Sequence, residues 1–138
     1  MTLEEARTYF SHDYYAVKQT GIVIEDVGPN YAKCSLLLDE RHQNANGHVM
    51  GGVFYTLADF VFAVSTNNGG NTVTVTTDSH ISYLSPCSGS VLYAESELIK
   101  DGKRNCFYRI LIRDGKDTPV AVVNTTGTHL EKKTVKHE

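Results

Sequence analysis

One apolar segment constrains this sequence more than any other. Between Val53 and Val64, apolar residues occur at most angles of a 3.6-residue period, which is typical of a helix surrounded by protein on nearly all sides. Gly51 and Gly52 stand at its start, and a polar, glycine-rich stretch follows it. The pattern predicts a buried central helix over about 51–68, which the rest of the chain must cover.

A single acidic residue, Asp59, interrupts this apolar run. No lysine or arginine stands three or four positions away, so nothing on the same helix neutralises the carboxylate. A buried carboxylate without a partner is costly, and chains usually keep one for a function or a specific hydrogen-bond network. We therefore interpret Asp59 as functional. The alternative is a solvent-facing acid on a polar stripe with Tyr55 and Thr56.

The start of the predicted helix is a candidate binding site. A polar turn from Asn44 to Gly47 leads into it, and the two glycines allow close approach of another group. The first amides of a helix have no partners within the helix and carry a partial positive charge. The main chain at Gly51 and Gly52 is therefore expected to bind a ligand oxygen.

The remaining chain predicts one α+β domain over residues 1–138. Thr2 and Glu5 form a capping-box pattern that opens an N-terminal helix over 2–18. Alternating apolar residues then predict strands over about 22–38 and 72–130, with turns at Gly28-Pro29-Asn30, at the two-residue hairpin signal Asp101-Gly102 and at Asp114-Gly115. About six antiparallel strands are expected to form a sheet wrapped around the long helix.

Composition excludes several classes of function. A net charge of −3 with scattered basic residues gives no basis for binding nucleic acid. The three cysteines lack a Cys-x-x-Cys spacing, which favours a reducing compartment over disulfides or zinc. The histidines show no metal-ligand spacing, so no metal is expected. Neither a signal peptide nor a run of 18 apolar residues is present, which predicts a soluble cytoplasmic protein without a membrane partner.

The element order and the junction before the helix resemble the hotdog fold, and within it the small acyl-CoA thioesterases of the phenylacetate-degradation type. The family pattern Asn-x-x-Gly-x-x-His-Gly-Gly, with Leu-Ala-Asp in the helix, is matched by Asn44, Gly47, Gly51, Gly52 and Leu57-Ala58-Asp59. The later segment Thr76 to Pro86 is similar to the family's strand leading to a proline. Met50 occupies the position of the family's histidine, and that role is not transferred to His48.

The resemblance implies hydrolysis of an acyl-CoA thioester, with coenzyme A entering as part of the substrate and no separate cofactor. Gly51 N–H would form the oxyanion hole, and Asn44 would orient the acyl carbonyl or the attacking water. Asp59 would be either the general base or the nucleophile, and Thr76 would either hold the water or be an ordinary strand threonine. Two rival functions are a non-catalytic module that binds acyl-CoA or another acyl ligand, and a hotdog hydratase or dehydratase.

The sequence indicates the type of reaction more specifically than it indicates the acyl group of the substrate. Aromatic residues of the helix would line a pocket for a small, aromatic or medium-chain acyl group, or else belong to the core: Phe54, Tyr55, Phe60 and Phe62. Lys103 and Arg104, beside the Asp101-Gly102 hairpin, are candidates for binding the phosphates of coenzyme A. The alternative is that these two residues are simply solvated charges.

Helix geometry also predicts an oligomer. Eight residues separate Asp59 from Gly51, which is roughly 12 Å at about 1.5 Å per residue. One carboxylate cannot reach an oxygen held at the start of its own helix. If both groups act on one substrate, Gly51 of one subunit must meet Asp59 of another. A homodimer with shared active sites is therefore expected, and the resemblance implies that such dimers often pair into tetramers.

Overall fold

The computed structural model describes residues 1–69 and 72–131. Two helical segments open the chain. Helix α1 spans Leu3–Phe10 and has the expected capping box, because Thr2 accepts from Glu5 N–H while the Glu5 carboxylate accepts from Thr2 N–H. The second segment is a π-helix over Tyr15–Thr20, which Gly21 ends at a φ of +91°. The predicted helix over 2–18 is therefore two helical pieces separated by a turn.

Six strands form one antiparallel sheet, as predicted for an α+β fold. They are β1 (Ile22–Gly28), β2 (Tyr31–Leu37), β3 (Thr72–Tyr83), β4 (Val91–Asp101), β5 (Asn105–Asp114) and β6 (Pro119–Glu131). Their spatial order is β1-β2-β4-β5-β6-β3. Strand β3 thus joins the sheet beyond β6 although it precedes β4 in the chain. Gly70 and Asn71 of the predicted helix-ending stretch lie outside the described residues.

The central helix, α2, spans Gly51–Asn67 and packs across the sheet. Its buried side chains include Leu57, Ala58, Val61 and Val64, each at 0% exposure. Phe62 packs edge-on against Tyr108 with ring centroids 5.4 Å apart. A Cβ at Gly127 would lie 2.5 Å from the Phe62 ring, so a glycine in β6 makes room for it.

The prediction that α2 is buried nearly all round is wrong for the single chain. A stripe of residues spaced at three and four positions remains half-buried or exposed along the helix: Gly52, Tyr55, Thr56, Asp59, Ala63 and Thr66. This stripe lies between the N-terminal helical segments and strand β3. Side-chain polarity at these positions is mixed, so the sequence alone does not show that the sheet leaves this side of the helix uncovered.

The predicted hairpin at Asp101-Gly102 also differs in detail. Asp101 remains within β4 and pairs with Cys106, so the connection is the longer turn Gly102 to Arg104. A side chain at Gly102 is excluded because its Cβ would lie 2.7 Å from the Asn105 carbonyl oxygen. The next turn follows the predicted Asp114-Gly115 position, and the Asp114 carboxylate organises it.

Candidate active site

A buried histidine anchors the loop that leads into α2. His42 is 2% exposed; its Nδ1 accepts from the Asp39 N–H at 3.0 Å, and its Nε2 lies 2.7 Å from the Thr20 carbonyl oxygen. Because Nδ1 is an acceptor, Nε2 must carry the proton and donate to that carbonyl, which describes a neutral imidazole. The His42 carbonyl in turn accepts from Met50 N–H at 2.8 Å. His42 therefore fixes the residue just before the helix.

Asn44 stabilises its own turn within this loop. Its side-chain oxygen accepts from the N–H groups of Asn46 and His48, at 2.9 and 3.1 Å. The loop is closed further by Asn44 N–H donating to the His48 carbonyl at 2.7 Å. The Asn44 side-chain oxygen is thus occupied, and the structure gives its NH₂ group no hydrogen bond to a described residue. The NH₂ group remains available as a donor.

The start of α2 has free amides. Met50 is its N-cap residue, and its side chain makes no capping hydrogen bond. Among the described residues, no backbone or side-chain acceptor binds the N–H of Gly51 or Gly52. Val53 N–H is the first in the helix to be bonded, to the Met50 carbonyl at 3.0 Å. Two donors are therefore available for a ligand oxygen.

The close neighbour of Gly51 is Tyr83, the last residue of β3. The Tyr83 hydroxyl donates to the Gly51 carbonyl at 2.9 Å, and a Cβ on Gly51 would lie 2.8 Å from that hydroxyl oxygen. The sequence reasoning missed this residue, because 32 positions separate the two and no local pattern links them. The absence of a side chain at Gly51 therefore makes room for Tyr83 of the same chain. Gly52, in contrast, is exposed to solvent.

Asp59 lies on the exposed stripe of α2, so the prediction that it is buried is wrong for one chain. Partial desolvation by the surrounding protein nevertheless raises the pKa of its carboxyl group, although a Thr76 hydrogen bond opposes that shift. The nearby Asp13 carboxylate raises the pKa further. Thr76 Oγ1 is 3.5 Å from Asp59 Oδ1, a long hydrogen bond that places the predicted pair side by side.

The predicted site residues form two separate groups in one chain. Asn44 and Gly51 lie at the start of α2, whereas Asp59 and Thr76 lie about two turns further along the helix, roughly 12 Å away along its axis. Lys103 and Arg104 are exposed in the β4–β5 turn, near Thr128 and His129 and therefore near the beginning of β3. Gly51 contacts the other end of β3, about 30 Å away along the strand.

Two cavities flank the start of α2. One of about 530 Å³ lies between the loop and the chain after β3, and its walls include Gly47, His48, Phe54, Tyr83, Pro86 and Cys87. Another of about 440 Å³ lies toward the N-terminal π-helix, and its walls include Tyr15, Gln19, Met50, Gly52, Tyr55 and Thr56. The predicted pocket aromatics therefore divide: Phe54 and Tyr55 reach these cavities, whereas Phe60 and Phe62 are core residues.

Two further properties concern the described part of the chain. None of its helices combines the length and the hydropathy needed to cross a bilayer. Within residues 1–69 and 72–131, the side chains of histidine, cysteine, aspartate and glutamate form no group of three or more suited to a metal ion.

Comparison with known proteins identifies a family whose sequence model matches this chain. The sequence model of the Thioesterase superfamily matches residues 46–121, which is more than half of the 138 residues. The matched segment includes Gly47, Gly51, Asp59 and Thr76 and ends in β6.

Solved structures share the fold over nearly the whole chain. A Haemophilus influenzae thioesterase aligns with a TM-score of 0.88 and 22% identity, covering 99% of this chain and 96% of that one. The Escherichia coli PaaI protein of the phenylacetic acid degradation operon gives 0.81 and 23%, covering 96% and 99%. A hypothetical thioesterase of Streptococcus pneumoniae, solved with coenzyme A, gives 0.81 and 19%, covering 93% and 99%. The predicted resemblance to PaaI-like hotdog proteins is confirmed.

Proposed function

The chain belongs to the thioesterase superfamily and is a thioester hydrolase, and on this premise we propose that its substrate is an acyl-coenzyme A. The observation that carries the proposal is the pair of free amides at Gly51 and Gly52, at the helix start that the two cavities flank. A thioester carbonyl held there would have its oxygen polarised by main-chain donors as negative charge develops. The S. pneumoniae structure with coenzyme A supports the choice of substrate, since it has the same fold.

The proposed reaction uses two groups of residues, Asn44 with Gly51 and Asp59 with Thr76. The carbonyl oxygen binds Gly51 N–H together with Gly52 N–H, and the free NH₂ group of Asn44 donates to the carbonyl or to the attacking water. Asp59 either removes a proton from that water or attacks the carbonyl carbon itself. In both routes the C–S bond breaks and coenzyme A leaves as a thiolate that takes up a proton. The nucleophilic route first forms an acyl anhydride on Asp59, which water then hydrolyses. Thr76 positions the water beside Asp59.

Both groups act on one substrate only if two chains meet, so the proposal includes a homodimer with shared sites. Strand β3 is an edge strand that no described strand covers on its outer side. The exposed stripe of α2, with Asp59, lies beside it. An unpaired strand edge next to an uncovered helix face is suited to pairing with a second copy. Pairing would desolvate Asp59 further, and two dimers would assemble into a tetramer.

The remaining parts of the substrate are the acyl group and coenzyme A. A small, aromatic or medium-chain acyl group fits the proposal, with coenzyme A as part of the substrate and no further cofactor. Lys103 and Arg104 would bind its phosphates. Because these residues lie far from Gly51 of their own chain, they would serve a site that contains the partner's helix start. A cytoplasmic location is consistent with the three free cysteines.

Thiol release from a panel of acyl-CoA esters tests the proposal. The panel contains acetyl, hexanoyl, decanoyl, benzoyl and phenylacetyl esters, and the matched variants are Asp59→Asn and Asp26→Asn. Asp26 is an exposed aspartate on β1 whose carboxylate accepts from Val27 N–H. We expect turnover of at least one ester by wild type and by Asp26→Asn, and a loss of at least about 100-fold with Asp59→Asn. Binding of the esters without Asp59-dependent thiol release would instead support a non-catalytic acyl-CoA module.

A further inference from the structure

The amides proposed to bind the thioester oxygen lack the usual support of a helix start. Ser, Thr, Asp or Asn at the N-cap normally fixes the first turn through its side chain. Met50 cannot do so, and its own side chain is 57% exposed. The orientation of the Gly51 and Gly52 amides must therefore be set by contacts from elsewhere in the chain.

Two contacts supply this support, one on each side of Gly51. On one side, Met50 N–H is held by the His42 carbonyl at 2.8 Å. On the other, the Tyr83 hydroxyl donates to the Gly51 carbonyl at 2.9 Å. A peptide unit is planar, so a hydrogen bond to the Gly51 carbonyl also fixes the plane that contains the Gly52 N–H. The tyrosine thereby acts on the free Gly52 amide without touching it.

Tyr83 is itself held in place. Its ring packs edge-on against Phe54 at a centroid distance of 5.9 Å and an interplanar angle of 80°. Phe54 lies one helical turn beyond Gly51, so the ring bridges the first turn of α2. The Tyr83 ring also forms part of the wall of the 530 Å³ cavity. A phenol has one proton, and Tyr83 uses it on Gly51, so the hydroxyl is not free to donate to the substrate.

We propose that Tyr83 is a positioning residue that fixes the Gly52 amide of the oxyanion-binding pair at the start of α2. This inference rests on the proposed function, because it assigns those amides to the thioester oxygen. Tyr83 ends the strand whose free edge faces the proposed partner, so the position of the amides is linked to the position of β3. The residue acts through Gly51 and is not itself a catalytic group.

Tyr83→Phe tests the proposal because it removes the hydroxyl and keeps the ring against Phe54. The matched control is Tyr93→Phe, since Tyr93 is another partly exposed strand tyrosine whose hydroxyl bonds to no described residue. Transition-state stabilisation falls when an oxyanion donor is misaligned, while ground-state binding is preserved. We expect kcat to fall by roughly 3- to 10-fold in Tyr83→Phe, with KM and the melting temperature nearly unchanged. Tyr93→Phe is expected to match wild type.

A second readout does not depend on turnover. In two-dimensional ¹⁵N–¹H NMR spectra, the Gly51 and Gly52 amide signals are expected to shift in Tyr83→Phe and to stay in place in Tyr93→Phe. A Tyr83→Phe enzyme with wild-type kcat, or with unmoved glycine signals, overturns the assignment. A loss of kcat that comes with a matching loss of thermal stability overturns it too, because that is a structural defect. If wild type hydrolyses no CoA ester, the proposed function fails, and the spectra alone decide whether Tyr83 sets the amides.

Discussion

Among single residues, Asp59 stands out because it is exposed in the isolated chain and the pKa of its carboxyl group is nevertheless raised. The surrounding protein desolvates it and so raises its pKa, Thr76 opposes the shift, and Asp13 adds a repulsive negative charge. An acid with a raised pKa is a better base or nucleophile once it is ionised. The same features make the ionised form less favourable in the folded chain than in the unfolded chain.

Replacing Asp59 by asparagine is therefore expected to stabilise the protein while removing activity. Because the folded-state pKa is above the unfolded value, the ionised carboxylate destabilises the fold at neutral pH. This penalty disappears as pH falls through the folded-state pKa toward the unfolded value. Thermal unfolding should give a higher melting temperature for Asp59→Asn than for wild type at pH 7, with a gap that narrows toward pH 4. A variant less stable than wild type at pH 7 would contradict this account of Asp59.

The neighbours of Asp59 predict opposite shifts in the pH dependence of the reaction. Activity requires the ionised carboxylate, so kcat/KM should rise with pH through the Asp59 pKa. Removing a negative charge in Asp13→Asn should move this acidic limb to lower pH, whereas losing the hydrogen bond in Thr76→Val should move it to higher pH. Glu4→Gln on α1 is the control and should leave the limb in place. Shifts in the same direction for Asp13→Asn and Thr76→Val would refute the assignment.

At the scale of elements, the sequence predicts what local patterns encode. Asp59 and its apolar neighbours in α2 fit a 3.6-residue period, and alternating residues such as those of β4 fit a two-residue period, so both element types are predictable. The exposed stripe of α2 is not predictable, because its side chains are of mixed polarity and do not show which side of the helix the sheet covers. The contact between Tyr83 and Gly51 is also hidden, since it joins two elements through tertiary packing. The candidate site residues could therefore be named one by one from the sequence, whereas their spatial arrangement could not.

The turn after β5 is organised by the Asp114 carboxylate. Asp114 is 1% exposed, and its carboxylate accepts from the N–H groups of Ser88, Lys116 and Thr118. Burial alone would raise its pKa, but these backbone hydrogen bonds keep the pKa below its ordinary value. Asp114→Asn replaces one acceptor oxygen by a donor and leaves at least one N–H group unpaired. We expect the melting temperature at pH 7 to fall by roughly 3–6 °C.

The matched control for that variant is Asp117→Asn, three residues later in the same turn. Asp117 has an exposed side chain and a φ of +64°, which asparagine also tolerates. Differential scanning calorimetry at several pH values makes the comparison. The stabilisation by Asp114 should be present at neutral pH and be lost as pH falls through its lowered pKa. Equal melting temperatures for the two variants would show that the buried carboxylate does not organise the turn.

At the scale of the whole molecule, the free edge of β3 and the exposed stripe of α2 form one continuous face. Asn67 covers part of that edge, because its side chain accepts from Thr74 N–H at 2.9 Å and donates to the Thr74 carbonyl at 3.2 Å. Beyond Asn67, the described residues leave the outer edge of the strand from Thr76 to Tyr83 without a partner. This is the stretch that carries Thr76, beside Asp59, and Tyr83, beside Gly51. The proposed homodimer requires a second copy docked there, with its own helix start near this chain's Asp59.

Subunit complementation tests this shared site most directly. Asp59→Asn lacks the carboxylate, and Gly51→Ala displaces the oxyanion site because its Cβ would lie 2.8 Å from the Tyr83 hydroxyl. Each variant alone should be inactive. After unfolding and refolding together in equal amounts, mixed dimers should contain one intact site, and thiol release should recover to about a quarter of the wild-type specific activity. A mixture as inactive as its parents, although mass spectrometry shows that mixed dimers have formed, would contradict a site built from two chains.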